Sequence, residues 1–241
     1  MNIKKLFILF VIIMNIDGLY SQALSDSIKS VWMNVNNSDS LRFEAIENYY
    51  FGNTYAKPDS VIPVTKYHYQ LAKEKGSVKQ MAYALNERSY AYYIKGELNS
   101  STEILQQSIS LFEIINEPKN IAVIQSNLGS IYIEQKQYLK AFNSFNASLK
   151  IVRDLKLKTS EARILVEIGK IYSRLDELDL AMEYLEESLT IRVAKKINKD
   201  NQIGTIFLKK AEIYFKKKQY NQAIEYSKKA INKFKNTNNK F

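Results

Sequence analysis

The sequence predicts an all-α chain of antiparallel helical hairpins, and three observations carry that prediction. A short pattern recurs at intervals of about 40 residues, apolar residues inside each interval fall at three-and-four spacing, and turn-forming residues lie between the apolar stretches. The 241 residues are 46% hydrophobic, with three prolines and seven glycines. That composition supports one sizeable core or a row of small ones, and argues against a disordered chain.

The chain opens with Lys4 and Lys5, an apolar run from Leu6 to Ile16, then Asp17, Gly18 and small or polar residues around Ser21, Gln22 and Ala23. This predicts a secretory signal over residues 1–23, cleaved after Ser21 or Ala23. The run is about half the roughly 20 apolar residues that a membrane-spanning helix needs, so a cleaved signal is favoured over an uncleaved anchor. The mature protein is then expected to be exported, in the periplasm or at the envelope. Residues 24–40 follow, where Ile28, Val31, Trp32 and Val35 lie at helix spacing and predict a short helix covering the open N-terminal face of an array.

Residues 41–241 carry the repeat. Leu128-Gly129-x-x-Tyr132 returns 40 residues later as Ile168-Gly169-x-x-Tyr172. The same step backwards reaches Ser89 and Tyr92, and a step of 42 forwards from Gly169 reaches Ala211, with Tyr214 after it. A second element recurs as Leu98-x-x-Ser101, Tyr138-x-x-Ala141, Leu178-x-x-Ala181 and Tyr220-x-x-Ala223, and a third as Ser108-Ile109, Ser148-Leu149, Ser188-Leu189 and Ala230-Ile231. Agreement of several registers defines copies at about 42–75, 82–115, 122–155, 162–195 and 204–237. Short turns within hairpins are expected at Lys95-Gly96-Glu97, Gln135-Lys136-Gln137 and Asp176-Glu177, and longer joints between hairpins at Gly76, Pro118 and Gly204. A small residue on each helix lets the two backbones approach, while Tyr and Leu fill the space around them.

These residues resemble the tetratricopeptide repeat, whose pattern is a small residue after Leu, then Tyr, then Tyr-x-x-Ala. The resemblance spans about residues 42–237 and is clearest in the copies beginning near Ala122 and Ala162; in the first copy Tyr49 and Gly52 occupy the small-residue and Tyr positions. Leu85, Gln125, Leu165 and Phe207 stand where the family often has Trp, and the period is longer than the family's 34. The resemblance implies a right-handed superhelical solenoid whose concave face, lined by first helices, binds a protein or peptide. Mapped residue by residue, that face holds Asn86, Tyr90 and Tyr93, then Ser126, Ser130 and Glu134, then Arg163, Lys170 and Arg174. It runs from aromatic to basic, which suits a peptide with an acidic segment. The lysine and asparagine pairing with which some relatives hold a C-terminal carboxylate is not reproduced. Long-period arrays behind a signal are also similar to the sensor regions of bacterial signalling proteins, so a sensor part whose kinase or cyclase output domain is absent from this chain is the alternative.

Composition excludes much else. Without cysteine there is no disulfide, thiolate metal site or cysteine nucleophile, and one histidine leaves little for zinc or acid–base chemistry. His68, between Tyr67 and Tyr69, is expected to be structural. No phosphate loop or serine–histidine pair is present, and Glu186 and Glu187, with Asp176, Glu177 and Asp179, are expected on solvated faces and turns. No catalysis, metal or cofactor is expected. The net charge of +10 is local: residues 22–194 hold 20 basic and 21 acidic groups, whereas 195–241 hold 13 and 3. Lys209, Lys210, Lys216, Lys217, Lys218, Lys228, Lys229, Lys233, Lys235 and Lys240 thus form a basic end. Solubility of an uncovered last hairpin is its first explanation, peripheral contact with anionic lipid or an acidic partner its second. Nucleic acid is not expected, because the patch has no arginine and no recognition motif.

Overall fold

The computed structural model describes residues 26–195 and 200–238, and among these every regular element is an α-helix. The expected signal, residues 1–23, lies outside the described residues. Helix α1 spans residues 26–33. It is followed by α2 Asp39–Asn53, α3 Pro58–Glu74, α4 Val78–Ile94, α5 Leu98–Ile114, α6 Pro118–Glu134, α7 Tyr138–Asp154, α8 Lys158–Arg174, α9 Leu178–Ala194, α10 Asp200–Lys216 and α11 Tyr220–Asn238. The chain divides into two compact units, one up to Ile115 and one from Asn116.

From α3 to α9 every connection is three residues long. The middle residue takes a left-handed backbone conformation, at Gly76, Gly96, Asn116, Lys136, Lys156 and Asp176, as does Lys218 between α10 and α11. The next amide then donates back into the helix end, Ser77 to the Ala72 carbonyl at 2.8 Å, Gln137 to Tyr132 at 2.8 Å and Glu177 to Tyr172 at 2.9 Å. Terminal carbonyls are thereby satisfied without a longer loop. Two expectations are corrected here. The joints at Gly76 and Pro118 are as short as the turns within hairpins, and Pro118 is the first residue of α6, where its missing amide costs nothing. Gly204 lies inside α10, in the register of Ala82, Ala122 and Ala162, and a Cβ there would sit 2.8 Å from the Phe234 ring. It is a close-packing residue, not a breaker.

In the first unit, Trp32 is buried and meets Tyr49 edge-on at 5.3 Å, with Ile28 and Val31 packed on the core formed by Phe43, Ile46, Tyr50 and Leu71. Val35 departs from the expected stripe: α1 ends at Met33, the Asn34 side chain accepts the Asn36 amide in a turn, and Val35 is 78% exposed. Ser38 caps α2 by accepting the Leu41 amide. Buried Arg42 donates from Nε to the Trp32 carbonyl at 2.8 Å and from its terminal nitrogen to the Tyr67 hydroxyl at 2.9 Å. Its cation thus meets the C-terminal end of α1, where helix carbonyls favour positive charge.

The second unit pairs α6 with α7, α8 with α9 and α10 with α11. Gly129 faces the Phe145 ring, and Gly169 faces the Ala181 carbonyl and Leu185. A seam absent from the pattern reading accompanies these contacts: buried Ser148 donates to the Ala122 carbonyl at 2.6 Å and Ser188 to Ala162 at 2.6 Å, as Ser108 does to Ala82 at 2.8 Å in the first unit. Each serine satisfies its hydroxyl on the first helix of its own hairpin. Between hairpins, buried Glu161 takes Arg153 of α7 at 3.1 Å, and within α8 it takes Lys158 at 2.7 Å, while Arg153 also reaches Glu187 at 2.6 Å. A carboxylate so enclosed requires those cations. Helix α10 lies on the α8/α9 hairpin through Ile206 and Ile213, against Val166, Ala181 and Leu185.

Ala181 is fully buried, and its carbonyl is 3.2 Å from where a Gly169 Cβ would lie. Ala181→Phe is therefore expected to lower stability by about 1–3 kcal/mol through overpacking. A chemical denaturation midpoint equal to that of wild type would contradict this seam.

Candidate functional site

In the first unit a concavity lies between α2 and α4. It is an open cleft of 640 Å³ to which α2 and the turn after it bring Glu47, Tyr50, Phe51, Thr54 and Tyr55, and α4 brings Tyr83, Asn86, Glu87 and Tyr90. Phe51 is 96% and Tyr55 73% exposed, an unusual display of aromatic surface. Tyr55 meets Tyr90 edge-on at 5.4 Å, and Tyr90 stacks on Tyr93 at 6.1 Å. The three rings form a continuous shelf. Burial, then a hydrogen bond with Tyr55, raises the Tyr90 phenol above its ordinary pKa, so this ring carries no charge at neutral pH.

Polar groups close the cleft floor. Thr54 Oγ1 lies 2.6 Å from Glu87 Oε1 and 2.9 Å from the Tyr50 carbonyl, and burial raises the Glu87 carboxyl above its ordinary range. Beneath it, the Tyr50 hydroxyl is 2.8 Å from His68 Nδ1, and His68 Nε2 is 2.9 Å from Gln80 Oε1. An Nε2 proton given to Gln80 leaves Nδ1 to accept from Tyr50, which is the neutral imidazole. Burial pushes His68 down to about 4, against a smaller opposing effect of the Gln80 hydrogen bond. His68 is a satisfied core residue. Among the described residues no group of three or more His, Cys, Asp or Glu side chains could hold a metal ion.

Asn86, Tyr90 and Tyr93 are thus brought together, whereas the mapped positions of the second unit are more dispersed in character. Ser126 is fully buried, its hydroxyl accepting from Arg163 at 3.1 Å and its carbonyl from the Ser130 hydroxyl at 3.2 Å. It positions Arg163 and offers no open surface, a correction to its place among the contact residues. Lys170 is paired with Glu167 at 2.7 Å, and Arg174 lies 6.0 Å from the Tyr138 ring centroid. Arg163, Arg174 and Glu134 are exposed. The pattern reading misses Phe51, Tyr55 and Tyr83. Their signal was the helical spacing of Phe51 with Tyr55, and of Tyr83 with Asn86, Tyr90 and Tyr93.

The lysines of the last hairpin are not one free basic end. Lys209 pairs with Glu212 at 2.8 Å and Lys229 with Glu225 at 2.6 Å, while Lys216 contacts Asp176 and Lys217 contacts Asp179. Lys210 is buried, against Glu186 and the Tyr226 hydroxyl; burial lowers its pKa, but those hydrogen bonds leave it above the ordinary lysine value, so it stays charged. Glu186, Asp176 and Asp179, expected to be merely solvated, are the partners that α10 and the turn after it use on the preceding hairpin.

Two tetratricopeptide repeat family models match, one over residues 120–194 and one over residues 205–232, along α6 to α11. No curated protein matches the chain. Among solved structures, BtubC (BKLC) from P. vanneervenii aligns with a TM-score of 0.79 at 15% identity, covering 90% of each chain. The apo form of RapI gives 0.71 at 16% identity over 98% of this chain and 66% of that one. Putative kinesin light chain TPR-like repeats from Podosopora anserina give 0.65 at 16% identity over 82% of this chain and 94% of that one. At these identities the likeness is one of fold. The protein has the all-α fold of tetratricopeptide-like helical hairpins, a scaffold type that points to protein–protein interaction.

Proposed function

We propose that the protein is an exported, non-catalytic scaffold that binds protein segments on the faces of its first helices. The observation that carries this is the aromatic shelf of Tyr55, Tyr90 and Tyr93 beside exposed Phe51, with Asn86 and Glu47 at hand to fix a backbone or a polar side chain. Tyrosine and phenylalanine supply large contact area at small entropic cost, and hairpins packed around small residues hold them ready before a partner arrives. In the second unit Arg163 and Arg174 supply the cations for an acidic stretch of a partner. Export rests on the Lys4-Lys5 start and the Leu6–Ile16 run.

Affinity capture from an envelope extract tests the reading with wild type, Tyr90→Ala and Arg174→Glu. A partner held by wild type should be recovered several-fold less by Tyr90→Ala, as expected for loss of a contact worth about 1–2 kcal/mol. An acidic partner should also be reduced by Arg174→Glu. Equal recovery of every protein by all three would remove the first-helix assignment, and N-terminal sequencing that began at Met1 would remove the cleaved signal.

A further inference from the structure

The hairpin of α10 and α11 presents an open apolar groove of 820 Å³, lined by both of its helices. Leu208, Phe215, Tyr220, Ile224 and Ile231 line it and are between 40% and 65% exposed. Moved back by 42 residues, four of these become Val166, Leu178, Met182 and Leu189. Those four belong to the cluster that Ile206 and Ile213 of α10 cover on the α8/α9 hairpin. The turns confirm the register, since Asp176 and Lys218, 42 apart, both take the left-handed conformation, at φ 64° and 60°. The last hairpin therefore repeats most of the apolar seat on which α10 lies, with Ser227 in the place of Leu185. Among the described residues no helix covers it.

Two of the three acidic groups of the seat are replaced by lysine, and the third, Asp179, by Asn221. On the preceding hairpin, α10 brings Lys210 to Glu186 and Lys216 to Asp176. The residues 42 positions later are Lys228 and Lys218. A helix seated as α10 is, with the cations of α10, would face two lysines and be repelled; a helix with carboxylates at those places would be attracted. This disfavours a second copy of the chain offering its own α10. The chain's apolar segment Leu6–Ile16 follows Lys4 and Lys5 and brings the same sign.

We propose that this face docks an amphipathic helix of a partner protein, apolar along one stripe and acidic at the two places opposite Lys218 and Lys228. Affinity comes from covering Leu208, Tyr220, Ile224 and Ile231, and selectivity from the reversed charges.

Two helix-stapled, fluorescent peptides test it against the full chain by anisotropy: residues 200–217 as they stand, and the same peptide with Lys210→Glu and Lys216→Glu. The acidic peptide should bind roughly tenfold more tightly than the native one at low salt, from two ion pairs gained and two repulsions lost. The preference should shrink at high ionic strength. A protein carrying Lys218→Glu and Lys228→Glu should invert it. Ile224→Asp, at an exposed position, should weaken the acidic peptide at least as much, and a scrambled acidic peptide should not bind. Circular dichroism checks that each variant is folded. Equal affinity for the two peptides, no binding of either, or indifference to Ile224→Asp would overturn the proposal. So would a dimer of the wild-type chain in sedimentation that Ile224→Asp dissolves, because the occupant would then be a second copy.

Discussion

Phe145→Ala is expected to destabilise the second unit by about 3–5 kcal/mol, the cost of removing a large buried aromatic side chain and leaving a cavity. Phe145 is fully buried, and its ring closes over Gly129. A Cβ at residue 129 would lie 2.7 Å from Cδ2 and Cε2 of that ring and 2.8 Å from Cζ, closer than carbon atoms approach. Gly129→Ala alone therefore has two opposed effects. Alanine favours a helix over glycine by about 1 kcal/mol, whereas displacing an enclosed ring costs about 1–3 kcal/mol. The second wins, for a net loss of about 1 kcal/mol. In a Phe145→Ala protein the obstruction is gone, and the same Gly129→Ala change should become stabilising by about 1 kcal/mol. The sign reversal implies a coupling of about 2 kcal/mol, within the range for residues in contact. Urea unfolding of the four proteins, followed by circular dichroism, measures it. Additive effects would show that Gly129 is small for a reason other than the Phe145 ring.

That contact also shows how far the sequence is legible. Gly129 and Gly169 recur with Ala141 and Ala181 because two backbones cannot approach around a large side chain, so a packing requirement leaves a mark that self-comparison finds. Gly204 carries the same mark, in register with Ala162, but glycine is also a helix breaker, and at one isolated position the two meanings compete. The Phe234 ring decides it. The serine seam is half legible: Ser108, Ser148 and Ser188 recur visibly, but the carbonyls they satisfy lie 26 residues earlier on the other helix. Nothing in a linear pattern names an acceptor on the backbone.

The candidate site divides along similar lines. Asn86 and Tyr90 are found because they keep step with the small-residue register of α4. Phe51 and Tyr55 are not, because the first copy puts Tyr49 where others have Gly or Ser and buries it against Trp32, which removes the reference point from α2. Ser126 shows the limit of mapping by register alone. It shares the first helix with exposed neighbours, but a hydroxyl that holds Arg163 faces inward. Long charged side chains are the least legible of all, since Lys210 and Lys216 find their acidic partners, Glu186 and Asp176, on the preceding hairpin. Their spacing in sequence suggests a solvated basic end, and only geometry reveals which acidic groups they serve and which lysines are left to face a partner.

Acidification should destabilise the first unit through His68. The folded pKa of His68 is about 4 against an ordinary value of 6.5, because the ring is buried between Tyr50 and Gln80 with Phe43 beside it at 5.3 Å. Above pH 6.5 both the folded and the unfolded chain hold a neutral imidazole, and the stability is fully present. Below that pH the unfolded chain takes up a proton that the folded one refuses, and stability falls until the folded ring also protonates near pH 4. Between pH 7 and pH 4.5 the loss should be about 2–3 kcal/mol. Burial of Glu87 acts in the opposite sense, since its raised pKa lets the folded state accept a proton more readily than the unfolded state. A His68→Gln protein retains that contribution, as it retains those of the remaining carboxylates, so the difference between the two proteins isolates the imidazole. The single tryptophan, Trp32, packs on Tyr49 in this same unit, and its fluorescence during urea unfolding at each pH reports the relevant transition. His68→Gln should show a pH dependence shallower than wild type by about that 2–3 kcal/mol. Parallel curves for the two proteins would mean that the folded ring takes up a proton as readily as the unfolded one, and the neutral hydrogen-bond chain from Tyr50 through His68 to Gln80 would have to be abandoned.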